Sequence, residues 1–209
     1  MPLNVVGPTD DTAYHPIFLS ILEDIPGGIV LNTDRIPSAT KEIKKGALLH
    51  AIATAASLSE YRLCKTAKLY VNIDTSAVVT IIVYTAHELK VGESIGAEGN
   101  HSGATIAAIT KGAVTDRIVF TAGGGGLNCG SIASARILVE KQLGAGVTLL
   151  KYSAEAILKQ TVKVRDSDLT TLYNVACAAV VRGTVNESIL PYYVTSYDKT
   201  ALTDRIRWA

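Results

Sequence analysis

The chain has 209 residues, 48% of them apolar, and carries 20 Lys plus Arg against 19 Asp plus Glu, a net charge of +1. That length suits one or two domains burying roughly 70% of the unfolded surface, and the composition excludes a disordered polyampholyte. The even charge balance argues against nucleic-acid binding driven by counterion release. The three cysteines Cys64, Cys129 and Cys177 form no CxxC, the pattern of reduced thiols in a cytoplasmic setting rather than a zinc site or a disulfide framework.

In chain order, residues 1–24 read as an extended amino-terminal arm. Pro2, Gly7, Pro8 and Pro16 interrupt any regular element, and the basic and apolar regions of a signal peptide are missing. No apolar run approaches the ~20 residues that span a bilayer, so no membrane partner is expected. Residues 25–122 read as a β-rich domain. Pro26-Gly27-Gly28 makes a turn, "GIVLN" a strand, and Pro37 stops it. Residues 40–61 read as strand–turn–strand to about Leu49, then a helical turn. "AKLYVNID" (67–74) and "AVVTIIVYTA" (77–86) have the Val, Ile, Tyr and Thr content of strands, and "ATIAAIT" (104–110) and "DRIVFTA" (116–122) continue a meander.

Residues 123–149 begin with the Gly-rich "GGGGLNCGS" and continue as either a short helix closed by Gly144 or a strand "ARILVE". Residues 150–209 read as a C-terminal β segment that either stands apart or returns to the first domain. Its strands are "QTVKVRD", "YNVACAAVVRGTV" and "SILPYYV", followed by a short helix "DKTALTDRI" with Asp198 as N-cap. Strand-sized segments about ten residues apart predict a mainly β fold: a small barrel or sandwich of antiparallel strands with the arm and one or two short helices.

An internal repeat sits inside this pattern. "EIKKGALLHA" (42–51) and "ELKVGESIGA" (88–97) share the form Glu-aliphatic-Lys-x-Gly-x-x-aliphatic-x-Ala, 46 residues apart. A strand ends near Lys-x, glycine takes the turn, and the aliphatic residue returns to the core on the next strand.

The same stretch holds Gly92-Glu93-Ser94-Ile95-Gly96, which matches the G-x-S-x-G of a hydrolase nucleophile elbow, with His101 seven residues on and Glu98 between. An elbow needs a buried strand before the serine, a helix after it, and triad partners from separate segments. The flanks "HELKVGE" and "AEGNHSGAT" are turn-like, and the first copy of the repeat has Leu48 where the second has Ser94. Gly92 therefore reads as a turn glycine and Ser94 as a bystander; a serine hydrolase is the weakest of the function classes weighed. "AGGGGLNCGS" fits neither G-x-G-x-x-G nor a Walker A loop, since no Gly-Lys-Ser/Thr follows. His15, His50, His87 and His101 show no H-x-x-x-H or H-E-x-x-H spacing. No catalytic, cofactor-binding or metal-binding residues are assigned. One Trp, two Phe and nine Tyr without alternation along a strand leave few platforms for a carbohydrate- or ligand-binding β module, which is the alternative reading. Tyr192, Tyr193, Tyr197 and Trp208 gather near the C-terminus, either for an interface or for local packing.

Taken in order, "IPGGIVLN", "IKKGALL", "AKLYV", "VYTAHELKVGESI", "ATIAAITKGA", "DRIVFTA" and "AAVVRGTVNESILPYYV" resemble the small head-fibre and capsid-decoration proteins of tailed bacteriophages, especially phages of gut Bacteroidales. The resemblance runs from about Ile25 to Arg207, and the sequence departs from it in "GGGGLNCGSIASARILVEKQ". It implies a non-enzymatic virion protein on the outer capsid surface, made in the host bacterial cytoplasm. Its implied partners are the major capsid protein and further copies of itself, a trimer being one such arrangement. Residues 1–24 are the expected grip, because an extended arm offers backbone edges for strand addition.

Overall fold

The structure, a computed structural model, describes residues 16–52, 60–73, 79–85, 87–97, 104–121, 137–140, 152–165 and 175–209. Their strands in chain order are β1 (Phe18–Asp24), β2 (Ile29–Leu31), β3 (Glu42–Ile43), β4 (Leu48–Ala51), β5 (Glu60–Leu63), β6 (Thr66–Lys68), β7 (Thr80–Tyr84) and β8 (Ser94–Ala97). They continue with β9 (Ala104–Thr110), β10 (Thr115–Phe120), β11 (Ile137–Glu140), β12 (Ala156–Leu158), β13 (Val162–Lys163), β14 (Val175–Cys177), β15 (Ala179–Val185) and β16 (Ile206–Trp208), with one α-helix, α1 (Ser196–Ala201), before the last. The expected mainly β class of largely antiparallel strands is what the chain forms; β2–β5 and β15–β16 pair in parallel.

The strands sort by sheet rather than by sequence third. An eight-stranded sheet runs β1-β15-β12-β4-β5-β2-β14, with β16 also paired to β15; a six-stranded sheet runs β6-β11-β8-β9-β10-β7; β3 and β13 pair separately. All strands of the second sheet fall between Thr66 and Glu140, so that module is inserted into the first. The expected 25–122 domain is thus divided between two sheets, and the 150–209 segment returns to the first, completing it through β12. The meander holds for β8–β9–β10, but β7 closes onto β10 rather than onto β8.

Around β4, β12 and the start of β15 the first sheet is buried on both faces. Leu49, Ala156, Leu158 and Ala179 point into one core, and Leu48, Ile157 and Val180 into another. Alternate residues of a strand face opposite sides, so a strand buried twice reads as a continuous apolar run. This is why "GALLHA", "EAILK" and "CAAVV" show no polar alternation. The inserted module has its own core around Leu69, Ile81, Val83, Ile95, Ile106, Ile118, Phe120 and Leu138. No described core cluster mixes residues of the two modules.

The repeat is real in backbone detail. Gly46 and Gly92 have φ of 88° and 89°, the left-handed region that favours glycine. Gly46 N–H donates to the Leu158 carbonyl at 2.9 Å and Gly92 N–H to the Ile106 carbonyl at 2.8 Å. Leu158 and Ile106 N–H return bonds of 2.8 Å to the carbonyls of Ala47 and Glu93, the next repeat positions. In one copy the partner strand is β9, immediately following; in the other it is β12, reached only after the whole insertion.

Three local expectations need correction, and one left open is decided. Residues 18–24 are not a detached arm but strand β1, paired with β15. "SILPYYV" is not a strand: Asn186 caps a 3-10 turn over Glu187–Ile189, and Pro191 lacks the N–H that a ladder requires. The N-cap of α1 is Thr195, not Asp198. Asp198 is the third residue of a capping box, its carboxylate accepting from Thr195 N–H at 3.2 Å while its own N–H donates to Thr195 Oγ1 at 3.0 Å. "ARILVE" resolves to a strand over Ile137–Glu140. The Gly-rich 123–131 stretch, the helical turn expected after Leu49, and residues 1–15 lie wholly or mostly outside the described residues.

The two turn glycines make a paired test. A Cβ on Gly92 would meet nothing within 4 Å, whereas one on Gly46 would lie 2.7 Å from Leu190 Cδ2 and 3.3 Å from Pro191 Cδ. Gly92→Ala should therefore cost only the left-handed strain, about 1–2 kcal/mol. Gly46→Ala should cost that plus an overpacking term of about 1–3 kcal/mol. Urea melts of the two variants check the order; equal losses would contradict the packing at Gly46.

Candidate functional site: a charged seam and an exposed edge strand

Where the chain crosses from the first module into the insertion and back, it buries charge. Asn32 Oδ1 accepts the Asp34 N–H at 3.0 Å, forming the turn after β2 that aims Arg35 at the insertion. Arg35 Nη2 contacts Glu93 Oε1 at 3.1 Å and Glu140 Oε1 at 2.5 Å. Lys65, on the link between β5 and β6, places Nζ 2.5 Å from Glu93 Oε1 and also donates to the Arg35 carbonyl. Glu93 Oε2 accepts the Lys90 N–H at 2.8 Å, so both oxygens of this buried carboxylate are used. The Tyr152 hydroxyl accepts from Arg35 Nη1 and, at 2.8 Å, from Arg62 Nη1; both guanidinium groups also lie over its ring, 5.1 and 4.9 Å from the centroid.

Burial pulls the Lys65 ammonium below its ordinary pKa, with Glu93 opposing that shift. For Arg35, burial also works against the charge, but Glu140 and Glu93 outweigh it and raise the pKa. The seam is thus a pairing of opposite charges, with each desolvation penalty offset by a partner. The cavity beside it, lined by Cys64, Lys65, Glu140 and Tyr152 among others, holds about 10 Å³, room for about one water. Burial also raises the Cys64 thiol well above its usual pKa, leaving it unreactive. A clamp between modules is what this arrangement can do. Sequence reasoning missed it, although a signal existed: the repeat sets Glu93 against Ala47, so the shared turn has no need of an acid there.

A second buried polar pair lies inside the insertion. His87 Nδ1 accepts the Leu89 N–H at 3.2 Å, so the neutral ring carries its proton on Nε2, 3.0 Å from Asp116 Oδ2. Burial, and then Lys111, lower His87 to about 4. Burial pushes the Asp116 carboxyl up, but Lys111 at 2.6 Å and the Gly112 N–H at 3.0 Å bring its pKa below the ordinary value.

The elbow serine is placed elsewhere. Ser94 opens antiparallel strand β8, faces Thr105 across the ladder and is 2% exposed; its Oγ bonds to no described residue. The element after it is strand β9, not the helix an elbow requires. His101, His15 and Cys129 lie outside the described residues. His50 pairs with the Ser153 carbonyl at 2.9 Å and Glu155 at 3.1 Å. Among the described residues no group of three His, Cys, Asp or Glu side chains is placed to hold a metal, and no helix is long and apolar enough to cross a membrane. Cys177 is buried, as expected, and Tyr192 packs into the first module's core rather than onto a surface.

The surface feature that stands out is β1. It ends the eight-stranded sheet, pairing with β15 on one side and with no described strand on the other. Leu19, Ile21 and Leu22 are 50%, 40% and 74% exposed. The acids at its end are matched within the chain, Asp24 to Lys159 at 2.6 Å and Glu23 to Arg182 at 3.8 Å, so the outward stretch Leu19–Leu22 presents no charge. Gly183 of β15 lets β1 come this close, since a Cβ there would collide with the Ser20 carbonyl oxygen. Natural edge strands are usually blunted by charge, proline or brevity; β1 has register shifts but a seven-residue length and an apolar centre. No family model, no curated protein and no solved structure matches the chain.

Two measurements test these sites. Glu93→Ala leaves Lys65 buried without its carboxylate and should destabilise the protein by about 3–5 kcal/mol, whereas Lys65→Met combined with Glu93→Leu should recover most of that loss; denaturant melts of the three proteins decide. For His87 the folded pKa lies below the unfolded one, so the folded state resists protonation. Stability should be full above about pH 6.5 and fall as pH drops toward 4, by up to about 3 kcal/mol. His87→Gln should flatten melting temperature across that window relative to the parent.

Proposed function

We propose that this chain is a structural virion protein that decorates the outer surface of a tailed-bacteriophage capsid. It acts there without catalysis, as a homo-oligomer, by bridging major capsid subunits. The sequence resemblance supplies the setting, and the observation that carries the reading is β1: an edge strand with an exposed aliphatic stretch at Leu19–Leu22 and an unpaired side among the described residues. Such an edge accepts a partner strand through main-chain hydrogen bonds, while alternate side chains find pockets.

The physics of cementing asks little of each contact. Apolar area contributes about 25 cal/mol per Å², reduced by association costs, so a contact of standard size is sufficient when a shell repeats it many times. A rigid two-module body held by a charged seam would transmit load between the subunits it joins. A buried hydroxyl at Ser94 and thiols raised by burial at Cys64 and Cys177 suit this role better than covalent chemistry.

Mass spectrometry of purified virions should find the protein in fixed stoichiometry to the major capsid protein; its absence from virions overturns the reading. Leu22→Lys changes a side chain 74% exposed, so folding should be unaffected. Binding to undecorated capsids should weaken by roughly tenfold or more if Leu22 is covered there.

A further inference from the structure

The six-stranded sheet of the insertion curls until its two end strands, β6 and β7, meet. Leu69 bridges Val83, and Tyr70 N–H donates to the Ile82 carbonyl at 2.9 Å. Ala67, Leu69, Ile81 and Val83 point into the core, so by strand alternation Lys68, Tyr70, Ile82 and Tyr84 share the outer face. Thr66 Oγ1 donates to the Tyr193 carbonyl at 2.7 Å, which sets the Tyr193 ring of the first module beside them. The Tyr70 and Tyr84 rings meet edge to face, centroids 5.2 Å apart at 80°. Lys68 Nζ lies 5.9 Å from the Tyr84 centroid and 5.4 Å from that of Tyr193. Tyr70 is 49% exposed; Tyr84, Tyr193 and Lys68 are half-buried.

Both ammonium–ring distances are near the outer limit of about 6 Å for a cation–π contact, so the rings position the ammonium without consuming its donors. Lys65, Lys111 and Lys159 each meet a carboxylate. Among the described residues Lys68 Nζ meets none, and the hydroxyls of Tyr70, Tyr84 and Tyr193 have no bonding partner. Burial, and then Tyr84, raise the Tyr193 hydroxyl above its ordinary pKa, so it stays protonated and able to donate. We infer that this face binds a carboxylated sugar: Lys68 pairs with the carboxylate, the exposed Tyr70 ring covers a C–H face of the pyranose, and the hydroxyls of Tyr84 and Tyr193 meet the sugar hydroxyls. Each group selects one property. The uncompensated cation sets the sign, the ring asks for a flat apolar face, and the hydroxyls ask for a ligand rich in donors and acceptors. An aliphatic acid answers the first two and leaves the hydroxyls to water; an acidic peptide has no contiguous set of hydroxyls to offer. The tyrosines come from three segments, which is why no single strand alternates aromatic residues. The site shares no residue with β1 and stands whether or not the protein works on a capsid.

The test titrates the full chain with methyl β-D-glucuronide, methyl β-D-glucoside, cyclohexanecarboxylate and the blocked peptide Ac-Glu-Ser-Glu-NH2. In ¹H–¹⁵N spectra the glucuronide should shift resonances of residues 68–71, 82–84 and 193 in a saturable way. The other three probes should bind at least about tenfold more weakly. Tyr70→Ala should weaken glucuronide binding by a similar factor, with the melting temperature preserved because the ring is half exposed. Lys68→Gln should lower the glucuronide to the affinity of the glucoside. If that substitution unfolds the protein, raising sodium chloride from about 20 to about 300 mM gives the same readout, weakening the glucuronide and not the glucoside. No saturable shift up to about 50 mM glucuronide, unchanged binding by Tyr70→Ala, equal binding of the glucoside, or equal or tighter binding of cyclohexanecarboxylate or of the peptide would each overturn the assignment.

Discussion

The seam between the modules is held by charge, and the rest of the structure depends on that. Each module encloses its own apolar core, and no described cluster spans the two. What joins them is the set Arg35, Lys65, Glu93, Glu140 and Tyr152, with Thr66 Oγ1 bonded to the Tyr193 carbonyl at 2.7 Å and Thr40 Oγ1 to Glu88 at 2.5 Å. An apolar seam would specify its register less strictly, because area burial is non-directional and does not depend on which apolar atoms meet. Paired charges in a low-dielectric setting are not indifferent: a shift that separates Glu93 from Lys65 leaves both buried and uncompensated. The seam therefore fixes the relative position of the modules more strictly than it stabilises them.

This explains how one backbone device serves twice. The turn at Gly46 and the turn at Gly92 make the same two-bond exchange with a neighbouring strand, yet only the second carries a glutamate after the glycine. In the first module that position is Ala47, buried in the core; in the insertion it is Glu93, the hub of the seam. The glycine supplies geometry, and the next residue decides whether the turn faces core or neighbour.

The fold class was legible in the sequence because β-branched runs, turn residues and their spacing are local signals. The two turn glycines were legible because a repeat displays the same constraint twice. The pairing was not. β4 meets β12 across a separation of more than a hundred residues, and nothing in "GALLHA" names "EAILK" as its partner. Double burial at the centre of the first sheet also removed the polar alternation that would have marked its faces there. Asp198 was recognised as a capping residue but shifted by three positions, because Thr195 and Asp198 cap reciprocally and either looks like the cap when read alone. The seam was the least legible feature, since Arg35, Lys65, Glu93 and Glu140 come from four separate segments and each reads as an ordinary surface charge until the chain folds.

The same logic bears on the edge left over once the cores and the seam are formed. A net charge of +1 gives the molecule little long-range repulsion, so an uncovered aliphatic edge such as Leu19–Leu22 would promote indiscriminate pairing. The register shifts in β1 limit that by twisting the strand, and they leave its centre apolar. A protein that remained alone would gain from a lysine at Leu22, where 74% of the side chain meets water at no benefit to the fold.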